Sequence, residues 1–139
     1  MGGLHVGVRS VANNDITSEI FMARILLAED DFSLRGFLKR ALERAGHDVI
    51  DCENGDDAID ALQANPFDLL LTDIVMPGAD GIEVARNASA RDPNMKIMFI
   101  SGFAAVALTA AQASPQAKVL AKPVHLKDLV DEVDRMIAA

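Results

Sequence analysis

Tryptophan and tyrosine are both absent from the 139 residues, and cysteine occurs once, as Cys52. Without the two large polar aromatics, the interior must be built from Leu, Ile, Val, Ala, Met and six Phe. A single cysteine excludes an internal disulfide. Cys52 closes the run Val49-Ile50-Asp51-Cys52, where a small buried or edge hydrophobe is expected rather than a reactive thiol. No stretch reaches the ~18–20 apolar residues of a membrane span. Residues 1–21 lack the apolar segment of a signal peptide. With one free cysteine, these absences lead us to expect a cytoplasmic protein with no membrane partner. There is no Gly-rich phosphate loop of the dinucleotide or Walker type. His5, His47 and His125 are too scattered to suggest a histidine metal set, and His125 is expected at the start of the last helix.

Positive charge is also scarce. Thirteen Lys and Arg face twenty-one Asp and Glu, a formal net charge of −8. Such a surface is a poor match for nucleic acid, whose phosphates need cations, and for anionic membranes. It suits a protein that gathers cations or meets basic partners. Half the residues are hydrophobic, a globular composition, and the length predicts one domain with a substantial core.

Two zones follow one another. Residues 1–21 show no period and mix Gly, Asn, Ser and single charges. Met22 is a candidate natural start, so the expected division is a disordered or mis-assigned leader over 1–21 and a domain over 22–139. From Arg24 onward, short apolar runs at 25–28, 49–52, 69–72, 97–100 and 119–121 read as strands buried on both faces of a parallel sheet. Helix-length segments separate them. Leu34, Phe37, Leu38, Ala41, Leu42 and Ala45 recur at helical spacing before Gly46. Ala58, Ala61 and Leu62 mark a second helix, and Ile82, Ala85 and Ala88 a third. Residues 106–113 form a fourth, and Leu126, Leu129, Val130, Val133 and Ile137 a fifth. Strand and helix repeated five times predict an α/β fold: a doubly wound parallel sheet with helices on both faces.

The polar residues with chemical potential fall at equivalent places. Glu29, Asp30 and Asp31 follow the first run, Asp73 the third, Ser101 the fourth and Lys122 the fifth. Ligands of open parallel sheets bind beyond the carboxyl ends of the strands, so these residues are expected to meet. Crowded carboxylates resist ionising together. A shared proton is one remedy and a divalent cation another; oxygen-only ligands favour a hard ion, Mg²⁺ above all. An Asp flanked by such an ion and by Lys122 can attack a phosphoryl group, and the Ser101 hydroxyl can donate to a phosphoryl oxygen. Taken singly each element has a plainer role: Glu-Asp-Asp as a solvated turn with Asp31 as a helix cap, Lys122-Pro123 as a turn. Pro77, Gly78 and Gly81 are expected to hold the loop after Asp73 in one shape. A cis Lys122–Pro123 bond is left open by the sequence.

Ile25-Leu26-Leu27-Ala28-Glu29-Asp30-Asp31, Leu71-Thr72-Asp73-Ile74-Val75-Met76-Pro77 with Asp80-Gly81, Ile100-Ser101-Gly102 and Lys122-Pro123 resemble the response-regulator receiver domains. The resemblance runs over 24–139. It implies a flavodoxin-like fold of strand order 2-1-3-4-5. It also implies Asp73 as phosphoacceptor, Asp30 as a direct Mg²⁺ ligand, Glu29 as a ligand through water and the Val75 backbone carbonyl as a further ligand. Ser101 becomes the switch hydroxyl and Lys122 the phosphate-contacting lysine. The implied partners are a histidine kinase or a histidine phosphotransfer protein. Three positions depart from the usual pattern: Val75 has no polar group, Val119 replaces the usual switch aromatic, and Ser101 stands for the commoner Thr.

The stretches 67–77 and 96–108 are similar to a single-domain branch of that family. In alphaproteobacteria this branch primes the ClpXP protease for cell-cycle substrates while unphosphorylated. Phe103, Val106 and Leu108 lie on a segment apolar on nearly every side, which is either a partner site or a helix packed into the core. The readings left open are a phosphorylation-gated binding module, a phosphorelay intermediate, an aspartyl phosphatase and a DNA-binding regulator. Val75 stands where such a phosphatase carries its second Asp, so a turnover enzyme is not expected. Only one helix follows Lys122, so no DNA-binding effector is expected either.

Overall fold

The computed structural model describes residues 7–10 and 19–139. The expected leader over 1–21 therefore falls largely outside the described residues. Within it, β1 (Gly7–Ser10) pairs antiparallel with β2 (Glu19–Met22).

The domain itself alternates strictly. β3 (Arg24–Ala28), α1 (Phe32–Arg44), β4 (Asp48–Cys52), α2 (Gly55–Ala64), β5 (Leu69–Asp73) and α3 (Gly81–Arg91) come first. β6 (Lys96–Ser101), α4 (Ala104–Ala113), β7 (Lys118–Ala121) and α5 (Leu126–Ala138) complete it. The five later strands form one parallel sheet of order β4-β3-β5-β6-β7. Counted from β3, this is the expected 2-1-3-4-5.

The continuous apolar runs are explained by burial on both faces. Successive residues of a strand point to opposite sides. Leu26, Leu70, Ile97 and Phe99 face one core with Ala58 and Leu62 of α2, Val84 and Ala88 of α3 and Ala110 of α4. Ile25, Leu27, Leu71 and Met98 face the other, with Leu38 and Leu42 of α1 and Leu129, Val133 and Ile137 of α5. The single-residue alternation thus sorts one apolar run into two hydrophobic layers.

Local signals set the helix ends. Asp31 caps α1, its side chain accepting from the Leu34 N–H at 2.9 Å. Asn54 caps α2 through the Asp57 N–H and Asp80 caps α3 through the Glu83 N–H. Past α1 the chain turns at Gly46 with φ of 100°, a left-handed value that favours glycine. His125 precedes α5 as its N-cap residue. α4 differs from the others: only Ala110 is buried, while Phe103 and Leu108 are each 62% exposed.

Two polar ties close the edge of the sheet opposite the strand carboxyl ends. The buried His47 ring accepts the Ala23 N–H at Nδ1 (3.1 Å), and its Nε2 lies 2.9 Å from Asp134 Oδ1 on α5. With Nδ1 accepting, the ring proton sits on Nε2 and is donated to Asp134. Buried Asp68 accepts the Arg24 N–H at 2.8 Å.

Candidate functional site

Every site residue read from the sequence lies at or beyond the carboxyl end of a strand. Glu29 and Asp30 leave β3, Asp73 ends β5, Ser101 ends β6 and Lys122 follows β7. The strand order reverses between β3 and β5, the place where open α/β sheets leave a crevice.

Lys122 is the centre of the charge arrangement. Its Nζ donates to Asp73 Oδ2 at 2.8 Å and lies 3.1 Å from Glu29 Oε1. Asp73 Oδ1 is 3.4 Å from the Val75 N–H. Glu29 is fully buried and Asp73 is 7% exposed, while Asp30 faces solvent. Glu29 Oε2 accepts the Asp31 N–H at 3.0 Å. Among the described residues its Oε1 makes only the ion pair to Lys122, which is not aligned as a hydrogen bond. A buried carboxylate oxygen with unused acceptor capacity is thus aimed at the pocket.

Burial pushes the Glu29 carboxyl above its usual range, and the Asp73 charge adds to this; the Asp31 N–H and Lys122 oppose it without prevailing. Burial would depress Lys122, but its contacts with Asp73 and Glu29 outweigh that and raise it. Lys122 therefore stays cationic at neutral pH. The crowding of carboxylates noted in the sequence is relieved in part by the chain's own lysine.

The acidic set fits a cation. One oxygen from each of Glu29, Asp30 and Asp73 lies within 4.8 Å of the others. The donors are all oxygen, which suits a hard divalent ion, and Glu29 Oε1 has capacity to spare.

The loop after Asp73 is held from the side by α2. The Gly55 N–H donates to Pro77 O at 3.2 Å, and Asp56 Oδ1 accepts the Ala79 N–H at 3.2 Å. A Cβ at Gly55 would overlap Ala79 O, and one at Gly81 would overlap Asp73 O. The Gly81 N–H donates to Ile74 O at 2.7 Å, and Gly78 has φ of 74°. The Lys122–Pro123 bond is cis. Val75 presents an apolar, exposed side chain in this loop.

Ser101 is buried, and its hydroxyl is engaged by the Phe103 backbone. Its hydroxyl donates to Phe103 O at 3.1 Å and accepts the Phe103 N–H at 3.0 Å. Phe103, the N-cap residue before α4, and Leu108 on it are exposed, but Val106 is half-buried and packs against the core. Val106 also borders a shallow, mostly apolar depression of about 370 Å³ with Ile74, Val75, Met76, Ile82 and Thr109.

Two contributors escaped the sequence reading. Asp56 had a signal, since Asn54-Gly55-Asp56 is a helix-start pattern, but nothing there points to Ala79. Arg35 reaches the Glu29 carbonyl at 2.8 Å; its only signal is a place one turn inside the helix that follows the acidic loop.

Residues 25–134 match the family model for the response regulator receiver domain. The chain is 59% identical over 119 residues to the response regulator receiver protein CpdR of Brucella abortus, covering 85% of this chain and 99% of that protein. A response regulator receiver protein from Sinorhizobium medicae superposes with a TM-score of 0.79 at 36% identity, over 85% of this chain and 96% of that one. The receiver domain of the hybrid histidine kinase CckA superposes with a TM-score of 0.71 at 29% identity, over 82% and 98%. A doubly wound sheet with an acidic pocket and a lysine at its switch point, joined to this likeness in sequence, makes the chain a member of the response regulator receiver domain family.

Proposed function

We propose that this chain is a two-component response regulator phosphorylated on Asp73, working in the cytoplasm as a phosphorylation-gated interaction module and not as a turnover enzyme. The observation that carries the proposal is the placement of Asp73: nearly buried, bonded to Lys122 and facing Glu29 and Asp30. Glu29, Asp30, Asp73 and the Val75 carbonyl would hold Mg²⁺. When bound, the ion supplies positive charge beside the transferred phosphoryl oxygens. An Asp73 oxygen forms a bond to phosphorus as the bond from phosphorus to the donor breaks; the histidine nitrogen, or the remnant of a small donor, is the leaving group and departs with that bond's electron pair. Lys122 holds its charge at the pocket throughout and offsets charge on the phosphoryl group. Ser101, freed from Phe103, donates its hydroxyl to a phosphoryl oxygen. That rotation alters the entry to α4 and links the pocket to exposed Phe103 and Leu108.

The partner we propose is the ClpXP protease, with the chain as an adaptor in the cell cycle. Likeness to CpdR over 99% of that protein supports this reading, as does the exposed apolar surface of α4. Residues 22–139 would carry the activity. Val75, where an aspartyl phosphatase needs a second acid, speaks against turnover. The second reading is a phosphorelay intermediate, favoured by likeness to a receiver from a hybrid kinase.

Pull-down with purified ClpX, using the untreated protein and the same protein after Mg²⁺ and a small phosphodonor, tests the choice. Capture by one form only supports the gated adaptor. Equal capture by both overturns the gating. No capture, with phosphoryl passing from Asp73 to a histidine phosphotransfer protein, selects the relay.

A further inference from the structure

The Glu29 backbone is held at both its N–H and its carbonyl, one by the end of β4 and the other by α1. Its N–H donates directly to Cys52 O at 3.0 Å. Its carbonyl is taken by Arg35 Nη1 at 2.8 Å, and the same guanidinium donates from Nε to Asp51 Oδ2 at 3.1 Å. Asp51 is held in turn by Lys39 at 3.1 Å. The Arg35 side chain is only 12% exposed, and the Phe32 ring covers it, centred 5.6 Å from the guanidinium carbon.

This arrangement uses what arginine has and lysine lacks. A planar fork with donors in fixed directions can bond a carbonyl and a carboxylate together without bending. The target matters because the Glu29 carbonyl belongs to the peptide unit joining Glu29 to Asp30. That unit is planar and rigid. Fixing its carbonyl fixes the direction in which the chain leaves toward the Asp30 side chain. Glu29 Oε2 is meanwhile tied to the Asp31 N–H. In these contacts Arg35 holds the loop backbone and Asp51 and touches no carboxylate of the acidic set.

We infer that Arg35 is a positioning residue for the metal site: it locks the Glu29–Asp30 peptide plane so that both carboxylates converge with Asp73. The inference rests on the Mg²⁺ reading given above. Charge and geometry predict opposite results, which makes it decidable. As a nearby cation Arg35 repels Mg²⁺, so removing its charge alone would tighten binding. As a clamp on the loop it favours binding, and losing its fork weakens it, as loss of groups supporting metal ligands does.

The test is Mg²⁺ titration of ¹⁵N-labelled protein, followed by amide shifts, for the parent, Arg35→Lys, Arg35→Gln and Asp51→Asn. Positioning predicts about tenfold weaker Mg²⁺ binding in both Arg35 variants, with a smaller loss in Asp51→Asn. It also predicts that the phosphorylation rate of these variants needs more Mg²⁺ to reach its half-maximum than that of the parent. Unchanged affinity in Arg35→Lys, or tighter binding in Arg35→Gln, overturns the inference and leaves the metal reading standing. If Arg35→Gln fails to fold, Arg35→Lys and Asp51→Asn decide. A parent that binds no Mg²⁺ overturns the metal reading and this inference together.

Discussion

Lys122 Nζ bonds Asp73 Oδ2 at 2.8 Å, joining the loop after the last strand to the central strand β5. The same ammonium faces buried Glu29 Oε1 at 3.1 Å. Lys122→Ala removes the ammonium that pairs with both carboxylates. We expect phosphorylation of Asp73 by a small donor to slow about a hundredfold or more, the scale seen when one charge-stabilising donor is lost. Initial rates by intact mass at fixed Mg²⁺ check this, and Lys122→Arg should recover only part of the loss.

His47, between α1 and β4, bonds Ala23 just before β3 and Asp134 on α5, and its two bonds carry unequal weight. Nδ1 satisfies the Ala23 N–H in the interior, whereas Nε2 reaches Asp134, whose side chain is half exposed. His47→Ala leaves a buried donor unpaired and opens a cavity, so it should cost about 3 kcal/mol. Asp134→Ala removes a solvent-screened partner and should cost less than about 1 kcal/mol. Urea unfolding of the two variants gives the comparison, and equal losses would contradict it.

The sequence made the site legible because chemistry and topology coincide there. Each of Glu29, Asp73, Ser101 and Lys122 directly follows an apolar run, so a parallel sheet alone brings them to one edge. The two-layer core was legible for the same reason. The ties made by His47, Arg35 and Asp56 were not. His47 meets Asp134 across 87 positions and Asp56 meets Ala79 across 23, and no local pattern encodes a partner at such distances. Ser101 was read correctly as a residue of the edge, but its hydroxyl is turned to Phe103, a rotamer choice that spacing does not encode.

Cys52 carries a pH signature. Burial, then the charges of Asp57 and Asp51, push its thiol up to about 11. An unfolded thiol titrates near about 8.5, so the folded protein holds the proton longer. At pH 8 the native thiol should react with iodoacetamide at least about a hundredfold more slowly than the urea-unfolded chain. The sign for stability follows: the raised folded value disfavours the native state once the unfolded thiol ionises, so stability declines as pH rises from about 8.5 toward 11. Cys52→Ser should flatten that decline in pH-dependent unfolding.

The α4 surface separates recognition from folding. Phe103 and Leu108 are exposed, so Phe103→Ala and Leu108→Ala should each change stability by less than about 0.5 kcal/mol. Both variants should accept phosphoryl on Asp73 normally and lose partner capture. Val106 packs against the core, so Val106→Asp should destabilise by about 2 kcal/mol or more and is the wrong probe of an interface. Thermal melts beside pull-downs of the three variants check the division.

The measurement that bears most directly on the account is intact mass after incubation with Mg²⁺ and a small phosphodonor, run beside Asp73→Asn and a chelator control. The account predicts one added phosphoryl group in the parent and none in the variant or without the metal. Addition that survives Asp73→Asn, or that proceeds unchanged in the chelator, would contradict it.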